Sequence, residues 1–391
     1  MDNSFGNSIF LTTGSDIAPT ETHEGQPQGH QCSELIGRYD TLLSEQRLSW
    51  TTHLRLLRKL GAGGQGVVYL TERRGADGFT LPVALKIFSP ERYGSPEEYD
   101  SDMARIGRVA AKVARIQHEN LLVVENFLDR ERMRLMVMEW VEGFDLRRLL
   151  TPKMYGVVKN RVSEKRWDYI NQVLVTAGPV QPRFRAGVAI AIVRDCLEAL
   201  AALHRKGVIH TDIKPANIML KRSGHTKIID IGSAFDQADP PQKRACTPAY
   251  AALEVLEGAE TTPLSDLASL GYVLIELLSG RPLFSSIKEL PELIDAKRKL
   301  VDRLPELLPD EVSTNDLLMN FCRGMIAADP DKRFQTAEAA ELMDDEGAAA
   351  FHRQLVKNDL ASEYDNDIRI WIEELLEIEQ DLNREDMQMF E

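Results

Sequence analysis

An aspartate, a lysine and an asparagine share one short stretch, His210-Thr211-Asp212-Ile213-Lys214-Pro215-Ala216-Asn217. A carboxylate there can accept the proton of an attacking hydroxyl. An ammonium two residues on can neutralise charge on a moving phosphoryl group, and an amide oxygen five residues on can bind a metal ion. Downstream, Ile228-Ile229-Asp230-Ile231-Gly232 ends an apolar run with an acid beside a glycine, which suits Mg²⁺. Asp-x-Gly alone is ordinarily a turn; Asp212 and Asn217 followed by Asp230 form a far more specific pattern. Two more motifs lie upstream. Gly61-Ala62-Gly63-Gly64-Gln65-Gly66-Val67-Val68 offers backbone N–H groups that phosphate oxygens can approach without a Cβ in the way. It leads into a strand rather than a helix, which disfavours a dinucleotide-binding turn. Val83-Ala84-Leu85-Lys86 then sets a lysine in an apolar strand. A lysine near a strand end is usually just solvated, but its place after the glycine run points its ammonium at nucleotide phosphates.

The elements that must carry these groups fall into two blocks. From His53 to Trp140 the pattern is strand-rich: Leu54 and Leu56 alternate, Val67–Leu70 and Val83–Phe88 read as strands, and Gly75-Ala76-Asp77-Gly78 suits a hairpin turn. Leu121–Leu128 and Arg134–Trp140 read as two more strands. Before these two, after Val83–Phe88, Met103–Gln117 is expected to be helical, with Met103, Ile106, Ala110, Val113 and Ile116 near one face. After Gly143 the chain turns helical, with long apolar helices at Ala186–Lys206 and Leu264–Ser279. A strand-rich block followed by a helix-rich one predicts an α+β protein with two unequal lobes.

With these motifs in this order, residues 53–343 resemble the protein kinase family, in particular the eukaryotic-like serine/threonine kinases that bacteria also encode. Gly61, Gly63, Gly66 and Val68 match the glycine-rich loop and Lys86 the strand lysine. Met136–Gly143 looks like the hinge, with Met138 as gatekeeper and the backbones of Glu139 and Val141 facing adenine. Asp212, Lys214 and Asn217 match the catalytic loop, and Asp230 the metal-binding acid. Thr247–Glu254 resembles the substrate platform, Asp266–Gly271 the start of the central buried helix, and Asp329–Arg333 the late motif whose arginine pairs with Glu254. The resemblance implies a small antiparallel β-sheet lobe, a larger helical lobe, and ATP with Mg²⁺ between them. Adenine would stack among Val68, Ala84 and Met219. Lys86 would hold the α- and β-phosphates, Asn217 and Asp230 the metal. Asp212 would accept the hydroxyl proton while Lys214 stabilises the transferring group. Lys214 and Thr247-Pro248-x-Tyr250 favour Ser/Thr acceptors on protein substrates.

Some positions depart from the family. A glutamate usually pairs with the strand lysine, but Met103–Gln117 contains no carboxylate and carries Arg105, Arg108, Lys112 and Arg115. Asp102, Glu98 or Glu97 could substitute if the helix is longer, or Asp230 alone could hold Lys86. The same gap leaves open a pseudokinase, a nucleotide-binding scaffold or regulatory module on the same fold. Thr211 replaces an arginine that often meets an activating phosphate, and Ala234–Cys246 contains no Ser, Thr or Tyr. Activity is therefore expected not to depend on phosphorylation of that stretch. Ile231 stands for a usual Phe, Gln65 for a frequent aromatic, and Leu253 for a Pro.

The 391 residues carry a net charge of −14 and four scattered cysteines. This argues against a general nucleic-acid binder, a disulfide framework and a structural zinc site. The first residues, Met1-Asp2-Asn3-Ser4, lack a basic n-region and no apolar run reaches the ~20 residues of a membrane helix, so a cytoplasmic protein is expected. The predicted organisation is an N-terminal extension at 1–50, disordered over 1–32 with a short helix from Ser33 to Trp50. The small lobe follows at 51–141, the large lobe at 142–345, and an acidic helical tail at 346–391. Thr151–Arg185 is a basic insertion with seven Lys and Arg against Glu164 and Asp168, whereas Glu363–Glu391 has eleven acids against two arginines. Either could dock a protein partner, or each other. The tail stripe Ile368, Trp371, Ile372, Leu375 and Leu382 is expected to pack on its own lobe.

Overall fold

The computed structural model describes residues 21–22, 32–45, 47–48, 54–75, 77–241, 245–342, 346–357 and 364–388. The expected disorder over 1–32 falls almost wholly outside these residues. Of that stretch, Glu21–Thr22 pair antiparallel with Ala245–Cys246.

Helix α1 (Ser33–Ser44) buries Leu35, Tyr39 and Leu42. It is shorter than the helix expected to run to Trp50, because Arg47–Leu48 (β1) instead pairs with the first long strand. That strand, β2 (Leu54–Gly63), leads through the glycine run into β3 (Gly66–Arg74), β4 (Thr80–Phe88), β5 (Val124–Arg130) and β6 (Met133–Glu139). All pair antiparallel in the order β1-β2-β3-β4-β6-β5. Val83 to Phe88 of β4 are continuously buried, as expected of a central strand covered on both faces.

Helix α2 (Pro96–Val113) starts seven residues before the expected Met103. Ser95 caps it by accepting the Glu98 N–H, and Pro96 occupies the first turn, where its missing donor costs nothing. The polar first turn hides the apolar face, which begins at Tyr99. Gly107 lets α2 approach the sheet: a Cβ there would lie 3.2 Å from the Phe127 ring.

Beyond the hinge lie β7 (Gly143–Asp145), α3 (Pro152–Arg161), α4 (Glu164–Val173), α5 (Ala186–His204), β8 (Ile218–Lys221), β9 (Thr226–Ile228) and α6 (Pro263–Ser279). Helix α6 is buried around its whole circumference from Ser265 to Ser279 and forms the axis of the helical lobe. Strands β9, β8 and β7 make a small antiparallel sheet, which places Asn217 and Asp230 at the two feet of the β8–β9 hairpin. The last described helix, α7 (Tyr364–Gln388), buries Ile368, Trp371, Ile372 and Leu375. Four of the five stripe residues thus pack in cis, while Leu382 is half-buried. Among the described residues no helix is long and apolar enough to cross a membrane.

Candidate active site

Strand periodicity sets one wall of the cleft. Val68 pairs directly with Lys86 across β3 and β4, and Ala84 lies two residues before Lys86 on the same face. Gly61 and Gly63 face open space, so nothing in the chain itself demands glycine there. Gly66 is different: its φ is +136°, and a Cβ would fall 1.9 Å from the Ile87 carbonyl oxygen. It closes the hairpin tip down onto β4, where the Ser89 N–H donates to the Gln65 carbonyl at 3.0 Å.

Lys86 reaches across the cleft to Asp230, with Nζ 2.8 and 3.0 Å from the two carboxylate oxygens. Burial alone raises the Asp230 carboxyl. Lys86, the Gly232 N–H and Lys214 outweigh that and hold it below the ordinary carboxylate range. Lys86 also donates to Gln65 Oε1 at 2.7 Å. The extra length of α2 does not supply a carboxylate to it. Asp102 instead binds Arg105 at 2.7 Å, Arg92 at 3.1 Å and the Tyr93 hydroxyl at 2.6 Å, and Glu98 accepts the Gly94 N–H.

The residues of the His210–Asn217 loop converge from the other lobe. Asn217 Nδ2 donates to the Asp212 carbonyl at 2.8 Å and to its carboxylate at 3.0 Å, turning its amide oxygen away from Asp212. Lys214 lies 2.9 Å from the Asp212 carboxylate and donates to Thr247 Oγ1, whose hydroxyl donates to Asp212 at 2.7 Å. The Ile229 N–H donates to the Asn217 carbonyl, tying the loop to the Asp230 strand. Asp212, Lys214, Asn217, Asp230 and Lys86 are thus brought together.

What holds the loop is Asp266, fully buried at the start of α6. It accepts the backbone N–H groups of His210 at 2.9 Å and Thr211 at 2.8 Å, and it pairs with His204 Nε2 at 2.8 Å. Thr211 sits at φ +68°, a left-handed conformation costly for a β-branched residue. Its hydroxyl donates to the Ser233 carbonyl at 3.0 Å. His210 Nδ1 accepts the Asp212 N–H, and burial pushes His210 below its ordinary pKa, favouring the neutral ring.

Glu139 spends its N–H on the Val123 carbonyl and its side chain on the Val123 N–H and Lys227, leaving its carbonyl as the group it can offer a base. Val141 and Ala84 are buried nearby, with Val68 and Met219 half-buried. Arg333 and Glu254 form the expected pair, two parallel bonds of 2.8 and 2.7 Å. Burial opposes ionisation of Glu254, and Arg333 more than offsets it.

The donor set fits Mg²⁺. Asp230 Oδ1 accepts from both Lys86 and the Gly232 N–H and Oδ2 from Lys86 alone, which leaves Oδ2 a second lone pair to offer, and the side chain is 31% exposed. With the Asn217 oxygen this makes the one-carboxylate arrangement that Mg²⁺ completes with phosphate oxygens. Sequence reasoning did not assign roles to Gln65, Ser233 or the strained Thr211. An amide amid glycines, together with a helix lacking a glutamate, was the available signal for the first.

The match to known proteins agrees in extent with this geometry. Residues 54–344 match the family described as protein kinase domain. Serine/threonine-protein kinase PrkC of Bacillus subtilis is 27% identical over 73% of this chain and 39% of its own length. Serine/threonine-protein kinase PknB of Mycolicibacterium smegmatis is 30% identical over 71% of this chain and 40% of its own. The chain therefore spans about two fifths of the length of these relatives. The kinase domain of Mycobacterium tuberculosis PknI aligns with 22% identity and TM-score 0.48, covering 77% of this chain and 95% of that one. With the family match running from the glycine hairpin to beyond the Glu254–Arg333 pair, the chain belongs to the protein kinase family, of the bacterial serine/threonine type.

Proposed function

We propose that this chain transfers the γ-phosphoryl group of ATP to serine or threonine hydroxyls of protein substrates. The observation that carries the reading is the meeting of Lys86, Asp212, Asn217 and Asp230, from separate stretches, in one cleft between the lobes. Adenine would lie among Val68, Ala84 and Met219, with backbone bonds to the Glu139 carbonyl and Val141. The Gly61–Gly66 hairpin would cover the phosphates. Lys86 would bind the α- and β-phosphates, and Asn217 with Asp230 would hold Mg²⁺, which when bound neutralises phosphate charge. Asp212 would orient the acceptor hydroxyl and take its proton. Lys214, already within reach of both Asp212 and Thr247, would neutralise charge building on the transferring group. Such catalysis is mostly positioning and electrostatics. The kind of acceptor is inferred by similarity from Lys214 and the Thr247–Tyr250 segment.

The test is phosphate transfer from labelled ATP to a generic basic protein, comparing the parent with Asp212→Asn. Loss of the proton acceptor is expected to lower transfer at least ~100-fold with ATP binding retained. Equal background signals in both would overturn the reading in favour of a nucleotide-binding module without transfer.

A further inference from the structure

The strand lysine has no carboxylate partner on α2, yet it is not held by Asp230 alone. We propose that Gln65, at the tip of the glycine hairpin, is the positioning residue that fixes Lys86 in place of a helix carboxylate. The proposal rests on the nucleotide-binding reading of the cleft given above.

The geometry is specific. Gln65 is buried although it sits at a hairpin tip. Its Oε1 accepts from Lys86 at 2.7 Å, and its Nε2 donates to Ser233 Oγ at 2.5 Å. The amide orientation is forced, because an ammonium has no lone pair and must face the oxygen. Two glycines make room. Gly66 folds the tip onto β4, as described. At Gly232 a Cβ would lie 2.2 Å from Gln65 Oε1 and 2.4 Å from Lys86 Nζ, so any larger residue would drive the pair apart. Ser233 passes the restraint on, since its carbonyl accepts the Thr211 hydroxyl next to Asp212. Lys86 has three N–H donors; the carboxylate and the amide are two partners, and a phosphate oxygen is the third.

The exchange of a carboxylate for an amide also changes the charge. Lys86, Asp230 and Gln65 together are neutral, whereas the family arrangement with a glutamate carries one more negative charge. A tetra-anionic nucleotide thus meets a less repulsive pocket, at the cost of a weaker hold on the lysine.

The experiment compares the full chain with Gln65→Leu, an apolar side chain one atom shorter that removes both the acceptor for Lys86 and the donor to Ser233, and Gln65→Glu, which restores an acceptor and adds charge. ATP affinity is measured by calorimetry without protein substrate, and kcat and KM by phosphate transfer. Gln65→Leu is expected to weaken ATP about fivefold and to lower kcat about tenfold, with an unchanged melting temperature. Gln65→Glu is expected to return kcat to within about threefold of the parent while raising the KM for ATP through like-charge repulsion. An unchanged ATP affinity and kcat in Gln65→Leu would overturn the proposal. Tighter ATP binding in that variant would also overturn it, by showing that the amide merely occupies the phosphate position. A parent that binds ATP but transfers nothing defeats the kinase reading alone, since the affinity comparison still decides the role of Gln65.

Discussion

Thr211 is the residue where the chain stores strain next to the chemistry. A threonine at φ +68° costs roughly 1–2 kcal/mol relative to an ordinary conformation. Asp266 holds it there by accepting two consecutive backbone N–H groups, and this aims Asp212 into the cleft. Asp266→Ala leaves two buried donors without partners and is expected to cost about 3 kcal/mol in urea unfolding, with kcat down at least tenfold. Placing Thr211→Gly in the same chain is expected to recover about 1 kcal/mol, because glycine adopts that φ without penalty. If the double variant were no more stable than Asp266→Ala, strain at Thr211 would not be what Asp266 offsets.

At the scale of elements, the basic face of α2 is not idle. Lys112 pairs with Asp236, Arg108 with Asp239 at 2.8 Å, and Arg105 with the Ala234 carbonyl at 3.4 Å. Phe235–Asp236 pairs in turn with Val208–Ile209, just before the catalytic loop. The stretch after Asp230 thus carries its own carboxylates to dock α2, where other kinases recruit a phosphate. Lys112→Ala is expected to speed hydrogen exchange of the last α2 turns and to lower kcat three- to tenfold. Arg108→Ala, at a pair more than half exposed, is expected to do neither. The hydrogen bond from Lys112 holds the Asp236 carboxyl below its ordinary range. Its stabilisation is therefore full above the unfolded carboxylate pKa and lost as pH falls through the lower folded value, so acid should mimic Asp236→Asn. Sequence alone picked out groups that the fold brings together: Lys86 pairs with Asp230, and Asn217 with Asp212. It could not show the pairings of α2. Arg108 and Lys112 show no partner in the sequence because theirs, Asp239 and Asp236, lie more than a hundred residues away, and Gln65 gains a role only once the hairpin folds over Lys86.

At the scale of the whole molecule, the acidic tail and the basic insertion meet, but charge is not what joins them. Arg166 binds Glu374 through two bonds of 2.8 and 2.9 Å, Tyr169 donates to Asp367 at 2.6 Å, and Arg148 binds Glu379 at 3.0 Å. These pairs are partly exposed, and such pairs contribute about 0–1 kcal/mol each. Trp371 is buried with its ring edge-on to Phe184, 6.0 Å between centroids. Two glycines seat the helix start: a Cβ at Gly187 would lie 2.2 Å from the Tyr364 ring, and one at Gly224 2.0 Å from the Asp365 carbonyl oxygen. Burying an indole contributes far more than any one of the ion pairs, so Trp371→Ala is expected to cost about 3–5 kcal/mol, and Glu374→Ala under about 1 kcal/mol. The Trp371 N–H has no hydrogen-bond partner among the described residues, so Trp371→Phe gives up volume but no bond and is expected to cost less than half as much as the alanine. Denaturant midpoints in low and in 1 M salt separate the two contributions. Screening reaches the exposed pairs and not the indole, so a tail held by Trp371 keeps its stabilising effect in 1 M salt. If salt erased the difference between parent and Trp371→Ala, the ionic contacts would be the ones holding the tail.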